Sequence, residues 1–473
     1  MNDNTKDHTA ASFAGPPQER LVVPLPEAMA LRPVPSCAGS LGAADLSPVG
    51  GPGEARAGGS SPAGIPRADW EQLAAQHGTP YFLYDADQVR QRVQAVRNAL
   101  EGTAQVYYAV KANPNLALLR SLVSHADGVD ISSGGELVQA QLAGFDAASM
   151  SLAGPAKTSA ELEAAIRAGV GCISMESVRE IEECARIARR IGMAAHVSLR
   201  VNPLQLNRAF GMKMGGRAIQ FGIDEEELPQ AGARVLALSP WLDFQGIHAY
   251  VGSQCFDPAG IVEATRNTLR ITRELEQASG LRCSKINLGG GFGVSHGQER
   301  RELDLAALAP ELLPVLKAHR DTTPWPCTLI FELGRFLTAQ AGIYVTRVVS
   351  RKASRGKLFL ACDGGLNHHL GAAGTFGATM RSNFALCNLS RPQATPRVCS
   401  LAGPSCNPTD LLGVDALLPE PAEGDLLGVA MSGSYGLTAS PILFLGRDTP
   451  AELVRTDGAV VVGRRRHTIA DFN

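Results

Sequence analysis

From Trp70 onward the apolar positions of this chain follow two alternating rhythms. Short runs that are apolar almost throughout, such as VYYAV (106–110) and CTLIFE (327–332), read as strands buried on both faces. Longer stretches have apolar residues three and four apart, as in SAELEAAIRAG (159–169), SVREIEECARIARRIG (177–192) and GIVEATRNTLRITRELEQASG (260–280), and read as helices. Eight strands of this kind can be placed, at 106–110, 128–131, 149–153, 172–176, 196–201, 244–251, 285–289 and 327–332. Strands alternating with helices predict an α/β fold, either a (β/α)8 TIM barrel or a doubly wound open sheet. The count of eight favours the barrel. The first four strands also recur at roughly 22-residue intervals, which suits compact β/α units.

The pattern changes on both sides of this region. Residues 1–65 are crowded with Pro, Gly, Ala and Ser and lack a sustained apolar period, so they predict a mostly disordered N-terminal tail. A docking role for that tail would rest on LVVPLPEAMALRPV, its one apolar part. After about residue 336 the helical period stops. The runs AGIYVTRVVSRK, KLFLACDGG, DLLGVAMSG, PILFLGR and AVVVGRRR then predict a C-terminal β domain. The expected boundaries are a tail over 1–65, a barrel over 85–335 and a β domain over 336–473, with a strand at 78–84 joining the last.

Composition narrows the function. A chain of 473 residues, 45% hydrophobic, can bury two sizeable cores. A net charge of −2 gives no reason to expect nucleic acid as a partner, and no apolar run is long enough to span a membrane. A small-molecule substrate or another protein is expected instead. The ten cysteines show no CxxC or short Cys/His spacing, and no basic-then-apolar leader is visible, so a cytoplasmic protein with reduced thiols is expected.

The chemistry gathers at one rim. Barrel enzymes place reactive groups at the C-terminal ends of their strands. Here those ends carry Lys111, then Asp130 with Ser133 and Glu136, then Arg200 and Asn202. The sixth strand ends in His248, Tyr250, Ser253 and Gln254, the seventh in Gly289-Gly290-Gly291, and the eighth in Glu332 and Arg335. A glycine loop after strand seven can bring backbone N–H groups close to a phosphate. A lysine, a carboxylate and a phosphate cradle on one rim are the set that pyridoxal 5'-phosphate requires. Each feature alone has a plainer reading: a strand-end lysine reaching for water, three glycines making a turn, Glu332 in a structural ion pair. The adjacent His368 and His369 invite a metal reading, but neighbouring strand residues point apart, so no metal is expected there. Arg464, Arg465 and Arg466 read as a solvated patch.

Eight segments, in order, raise these features above their plain readings. They are YYAVKANPN, GVDISSGGEL, GPAKT, GIHAYVGSQ, NLGGGFG, FELGRFLTAQAG, GPSCNPTDLLG and GDLLGVAMSGSYG. From about residue 66 to 466 the chain thereby resembles the fold type III pyridoxal phosphate-dependent decarboxylases, which include diaminopimelate, ornithine and arginine decarboxylases. The resemblance implies an alanine-racemase-like barrel, a C-terminal β domain and a head-to-tail homodimer with shared active sites. It implies that Lys111 is the covalent anchor of the cofactor and that Glu332 pairs with the pyridine N–H. Ser253, Gly289, Gly290, Gly291 and Tyr435 would hold the phosphate, with Arg335 beside it or beside the substrate. Asp130 and Glu136 would support the lysine, and Arg200 and Tyr250 would complete the cofactor's surroundings. Cys406, from the partner subunit, would act at Cα, with Asn407 and Tyr435 near the substrate. Desolvation, together with the cationic cofactor linkage beside it, would favour the neutral amine of Lys111.

Three departures bear on the substrate. Tyr250 stands where the family commonly has a histidine on the cofactor ring, which keeps an aromatic face without that titration. Leu333 replaces a proline. Asn407-Pro408 follows Cys406, where diaminopimelate and ornithine enzymes carry an acidic residue for the distal amine. With FGMKMGGRAIQFGID and DGGLNHHLGAAGTFG, these departures resemble a biosynthetic-cluster subgroup that includes the butirosin-pathway, carrier-protein-linked decarboxylase. The expected activity is α-decarboxylation of an amino acid in a specialised pathway, conjugated and acyl-carrier-protein-bound forms included. The alternative is meso-diaminopimelate decarboxylation. A racemase and a non-catalytic decarboxylase-like regulator are two further readings of the same barrel.

Overall fold

The computed structural model describes residues 67–473, apart from 206, 298, 300 and 375–381. The tail expected over 1–65, and the end of DGGLNHHLGAAGTFG, therefore lie outside the described residues. The described residues open with helix α1 (Arg67–His77), strand β1 (Tyr81–Asp85) and helix α2 (Ala86–Leu100). The barrel strands follow: β2 (Gln105–Ala109), β3 (Gly128–Ile131), β4 (Met150–Leu152), β5 (Cys172–Met175) and β6 (Ala195–Asn202). After β6 an excursion carries β7 (Phe210–Lys213) and β8 (Ile223–Asp224). The barrel resumes with β9 (Leu242–Ala249), then β10 (Gly252–Cys255) on the rim, β11 (Lys285–Gly290) and β12 (Thr328–Leu333).

The eight barrel strands pair in parallel in the order β5-β4-β3-β2-β12-β11-β9-β6, and β5 pairs with β6 to close the ring. Closure rules out the open sheet. Each strand begins within two residues of its expected place. β2 shows why they were legible. Val106, Tyr107, Tyr108 and Ala109 are all buried, because side chains on one face fill the barrel and those on the other meet helices. The helices have equally local causes. Helix α6 (Val178–Ile191, after α3 to α5 at Leu116–Leu122, Gly134–Ala143 and Ser159–Ala168) buries Ile181, Cys184, Ala185 and Ala188 on one stripe. Ser177 caps its start by accepting from Glu180 N, and Gly192 ends it in the left-handed region.

The C-terminal domain is a sheet built on β13 (Gly342–Ser354), β14 (Lys357–Cys362), β15 (Leu386–Asn388), β16 (Pro396–Ala402), β17 (Leu411–Pro419), β18 (Leu426–Ala430), β19 (Ala451–Thr456) and β20 (Ala459–Arg464). β1, which precedes the barrel in sequence, lies between β13 and β19 in this sheet, antiparallel to the first and parallel to the second. PILFLGR is not a strand. Phe444–Gly446 forms a short 3-10 turn, with Leu445 in the left-handed region at φ 61°, and Leu443, Phe444 and Leu445 stay exposed. An apolar run without a neighbouring strand to pair with does not become one. β15, β16, β17 and β19 were not legible: β15 is only three residues long, and Arg397, Asp415 and Glu452 interrupt the runs of the other three.

The basic run at the C-terminus is also not simply solvated. Glu452 is buried, with Oε1 accepting from Tyr84 Oη at 2.8 Å and Oε2 accepting from Asn115 Nδ2 at 3.1 Å and Arg464 Nε at 2.6 Å. Arg466 donates to Pro80 O at 2.7 Å, and only Arg465 is mostly exposed, at 70%. A buried carboxylate needs such partners, which explains why Arg464 turns inward. This knot joins β1, β19 and β20 to the loop that follows β2. We expect Glu452→Ala to destabilise the protein by about 3 kcal/mol, because it leaves three polar groups without their acceptor. A lowered midpoint in urea unfolding is the measurement, and an unchanged midpoint would count against the knot.

Candidate active site

β2 runs straight into a 3-10 turn, Val110–Ala112, which lifts Lys111 out of the buried strand at the barrel's C-terminal end. Its side chain keeps 40% accessibility, while Asp130 beside it, at the end of β3, has none. Lys111 Nζ donates to Asp130 Oδ2 at 3.0 Å, and Asp130 Oδ1 accepts from Ser151 Oγ at 3.0 Å. Burial opposes charge on Lys111, but the carboxylates of Asp130 and Glu332 outweigh it and hold the amine above the ordinary lysine value. In the chain by itself the balance therefore runs against the neutral amine expected from desolvation. Burial and the nearby charge of Glu332 push the Asp130 carboxyl up, against the pull of Lys111.

Glu332, near the end of β12, is 4% exposed. Its Oε2 accepts from Asn287 Nδ2 at 3.0 Å, and His248 Nε2 lies 3.4 Å from its Oε1. Burial opposes ionisation, but His248, Lys111 and Arg200 together hold the carboxyl down at about 2. Glu332 is therefore an anion fixed inside the barrel. Tyr250 and Tyr435 also act electrostatically on Lys111. Burial, with Tyr435 next, pushes the Tyr250 hydroxyl up, so it stays neutral.

The glycine loop closes β11. A Cβ on Gly289 would collide with Ala249 O, one on Gly290 with Glu332 O and one on Gly291 with Gly252 O. Gly289 and Gly291 also have φ of 70° and 80°. Only glycine fits, and the backbone is left bare against the neighbouring chain. Ser253 sits on β10, which pairs with β7 and meets the loop where Cys255 N donates to Gly291 O at 2.9 Å. Arg335 opens a short helix after β12. Its guanidinium lies 4.6 Å from the Tyr435 ring centroid and donates to His296 Nε2 at 3.2 Å. Burial, reinforced by Arg335, lowers the His296 pKa to about 3, so the ring is a neutral acceptor. Tyr435 reaches the rim from the C-terminal domain: its N–H donates to Ala112 O at 2.7 Å, while Asn113 Nδ2 donates to Gly433 O at 3.0 Å.

The rim thus brings together Lys111, Asp130, Glu332, Tyr250, Arg335 and Tyr435 with the glycine loop. Two of the expected cofactor contacts also have partners within the chain. Arg200 Nη1 donates to Glu176 Oε1 at 2.8 Å, its guanidinium lies 5.0 Å from the Phe221 ring, and its charge also reaches Glu332. Glu136 accepts from Ser132 N at 2.7 Å and so fastens the start of its own helix. Cys406 is exposed and unpaired, and Asn407 Oδ1 accepts from Thr409 N and Oγ1, each at 3.0 Å.

His368 and His369 lie in a turn, not on a strand, because both N–H groups donate to Gly365 O. Their rings pair with Tyr344, Asn367 and Ser432, and burial lowers their pKa values to about 4 and about 3. Among the described residues no group of three or more His, Cys, Asp or Glu side chains could hold a metal. Asn287, His296 and Glu176 were not anticipated. Asn287 had a signal, as a polar residue between the apolar Ile286 and Leu288, two places before the glycines. His296 had none, since a histidine in an irregular loop carries no periodicity.

The residues fit a phosphorylated pyridine aldehyde. A rim loop with no side chains to screen its backbone suits a phosphate, the lysine offers an amine, and the fixed anion offers a partner for a protonated ring nitrogen. Comparison with known proteins agrees. The family model described as pyridoxal-dependent decarboxylase, pyridoxal binding domain, matches residues 86–339. The L-glutamyl-[BtrI acyl-carrier protein] decarboxylase of Niallia circulans is 37% identical over 413 residues, covering 86% of this chain and 96% of that protein. The diaminopimelate decarboxylase of Neisseria meningitidis serogroup A is 33% identical, over 85% of this chain and 95% of that one. The crystal structure of diaminopimelate decarboxylase from Helicobacter pylori complexed with L-lysine superposes with a TM-score of 0.77 at 28% identity, over 85% of this chain and 98% of that one. With barrel, rim chemistry and relatives in agreement, the chain belongs to the pyridoxal phosphate-dependent decarboxylases of fold type III, and its cofactor is pyridoxal 5'-phosphate.

Proposed function

We propose that this decarboxylase acts on an α-amino acid joined to an acyl-carrier protein, in a specialised biosynthetic pathway. The observation that carries this reading is the 37% identity, across nearly the whole folded chain, to a relative named for a carrier-bound glutamyl substrate. Asn407 supports it. No carboxylate stands directly after Cys406, and the Asn407 oxygen is already engaged by Thr409, so position 407 does not recommend a free distal ammonium.

The bound cofactor supplies an electron sink for the pair left behind when CO2 departs. Around it we assign the chain's own groups. Lys111 is the covalent anchor, held in place by Asp130. Glu332 keeps a proton on the ring nitrogen, because its own carboxyl stays ionised. The glycine loop, Ser253 and Tyr435 hold the phosphate, with Arg335 fixed between His296 and Tyr435 for the phosphate or the substrate. Cys406 serves the active site of a second copy as a proton donor at Cα. Support for a homodimer is that Cys406 is exposed. In addition, Arg447 Nη2 donates to Pro404 O at 3.0 Å, joining the Cys406 loop to the exposed Leu443, Phe444 and Leu445. We place the enzyme in the cytoplasm, in keeping with the buried cysteines Cys184, Cys255 and Cys283, which form no disulfide. No helix among the described residues is long and apolar enough to cross a membrane.

The second reading is meso-diaminopimelate decarboxylation, favoured by the 0.77 superposition on the Helicobacter pylori enzyme. CO2 release decides between them. Purified holoenzyme is given glutamyl-carrier protein, free L-glutamate and meso-diaminopimelate. We expect kcat/KM for the carrier-bound substrate to exceed that for diaminopimelate by about 100-fold or more. Brisk conversion of diaminopimelate to lysine would sink the proposal.

A further inference from the structure

The barrel interior holds a buried group that the assignments above leave without a task. His248 projects from β9 and is 2% exposed. Its Nδ1 lies 3.0 Å from Ser174 Oγ on β5, which lies 3.2 Å from Ser198 Oγ on β6. Its Nε2 makes no hydrogen bond of good geometry and faces Glu332 Oε1 across 3.4 Å. An unprotonated Nε2 would set a lone pair against a buried anion, so the proton belongs on Nε2 and Nδ1 faces the Ser174 hydroxyl. On the far side of the carboxylate, Asn287 Nδ2 donates to Oε2 at 3.0 Å and Asn287 Oδ1 accepts from Gly289 N at 2.9 Å. A continuous line of side chains therefore crosses the barrel, from Ser198 and Ser174 through His248, Glu332 and Asn287 to the glycine loop.

Two donors from different strands thus address the two oxygens of one carboxylate. Asn287 alone would leave the group free to swing about its single contact. His248 supplies the second point and the positive end of a dipole, and its own ring is held from behind by Ser174. We infer that His248 is a positioning residue for the cofactor ring, fixing with Asn287 the one orientation in which Glu332 meets the pyridine nitrogen. The inference rests on the proposed role of Glu332. It also links the ring contact to the phosphate cradle, since Asn287 touches both Glu332 and Gly289.

The test uses full-length holoenzyme carrying cofactor labelled with 15N in the ring. In wild type the 15N resonance should fall in the protonated pyridine range. We expect His248→Leu to move it toward unprotonated pyridine, to weaken cofactor binding to the apoprotein about 10-fold, and to lower kcat about 100-fold with KM within about threefold. His248→Gln, which keeps a donor near the same place, should recover about 10-fold of the lost kcat. A folded His248→Leu enzyme with resonance, binding and kcat within about twofold of wild type overturns the inference. So does a folded His248→Gln enzyme no better than His248→Leu. Should His248→Leu fail to fold, as judged by circular dichroism, Ser174→Ala is read by the same resonance: movement supports the inference and no movement overturns it. Glu332→Gln is the control. If Glu332→Gln leaves the resonance in place, the ring-partner role of Glu332 is what has failed. If Glu332→Gln moves it while the His248 variants do not, only the inference about His248 falls.

Discussion

Lys111→Ala loses the visible absorbance band of the bound cofactor, releases the cofactor on dialysis, and lowers kcat by about 10^4-fold or more. The expectation follows from position. Among the rim groups only Lys111 combines an amine, 40% accessibility and a buried carboxylate at 3.0 Å to orient it. The variant also changes the energetics of the apoprotein. Asp130 keeps Ser151 as a partner but loses the cation that pulls its pKa down, while burial and Glu332 still push it up. A carboxyl whose folded-state pKa is raised adds stability below its unfolded value and loses it as pH rises through the folded value. Compared with wild type, Lys111→Ala is therefore more destabilised near about pH 8 than near about pH 5. Urea unfolding of the two apoproteins at both pH values measures this, and a pH-independent difference would show that Asp130 does not depend on Lys111.

Glu332→Gln separates attachment from chemistry. Lys111 is untouched, so the absorbance band persists, but kcat falls by about 10^3-fold because the ring nitrogen loses its fixed anion. The neutral amide also fits the pocket poorly. Asn287 Nδ2 and His248 Nε2 address separate oxygens of Glu332, and glutamine offers one oxygen and one donor in their place. The wild-type carboxyl is held down at about 2, below the 4.5 of an ordinary glutamate. Its contribution to stability is therefore complete above about pH 4.5 and is lost as pH falls through about 2. The acid limb of the kcat profile should accordingly contain no Glu332 titration above about pH 4. An acid limb near pH 4 to 5 that Glu332→Gln abolishes would show that the carboxyl is not held so low.

Particular residues show where sequence reading stops. The barrel strands were legible because their side chains are buried on both faces, and a strand such as VYYAV states that in its own composition. Lys111, Glu332 and the three glycines stood out because each breaks such a run at its C-terminal end. Arg200 was legible as a rim residue, but its bond from Nη1 to Glu176, twenty-four positions back, was not, because that pairing depends on how two separate strand ends meet. The basic run at 464–466 looked solvated because the buried Glu452 that turns Arg464 inward lies on the neighbouring strand. PILFLGR looked like a strand because apolar content was visible and the missing pairing partner was not.

The sequence by itself determined the order of the barrel strands, the lysine, carboxylate and glycine loop at their ends, and hence the cofactor. Those features depend on residue type and on spacing within a few positions, which local periodicity records. Only the tertiary structure decided how these groups are charged and held. Asp130 and Glu332 keep Lys111 protonated, Asn287 and His248 bracket Glu332, and Asn113 and Asn115 tie the loop after Lys111 to Gly433 and Glu452. Those effects depend on distances of a few ångströms between residues up to 337 positions apart in the chain, set by barrel closure and by the packing of the C-terminal sheet against it.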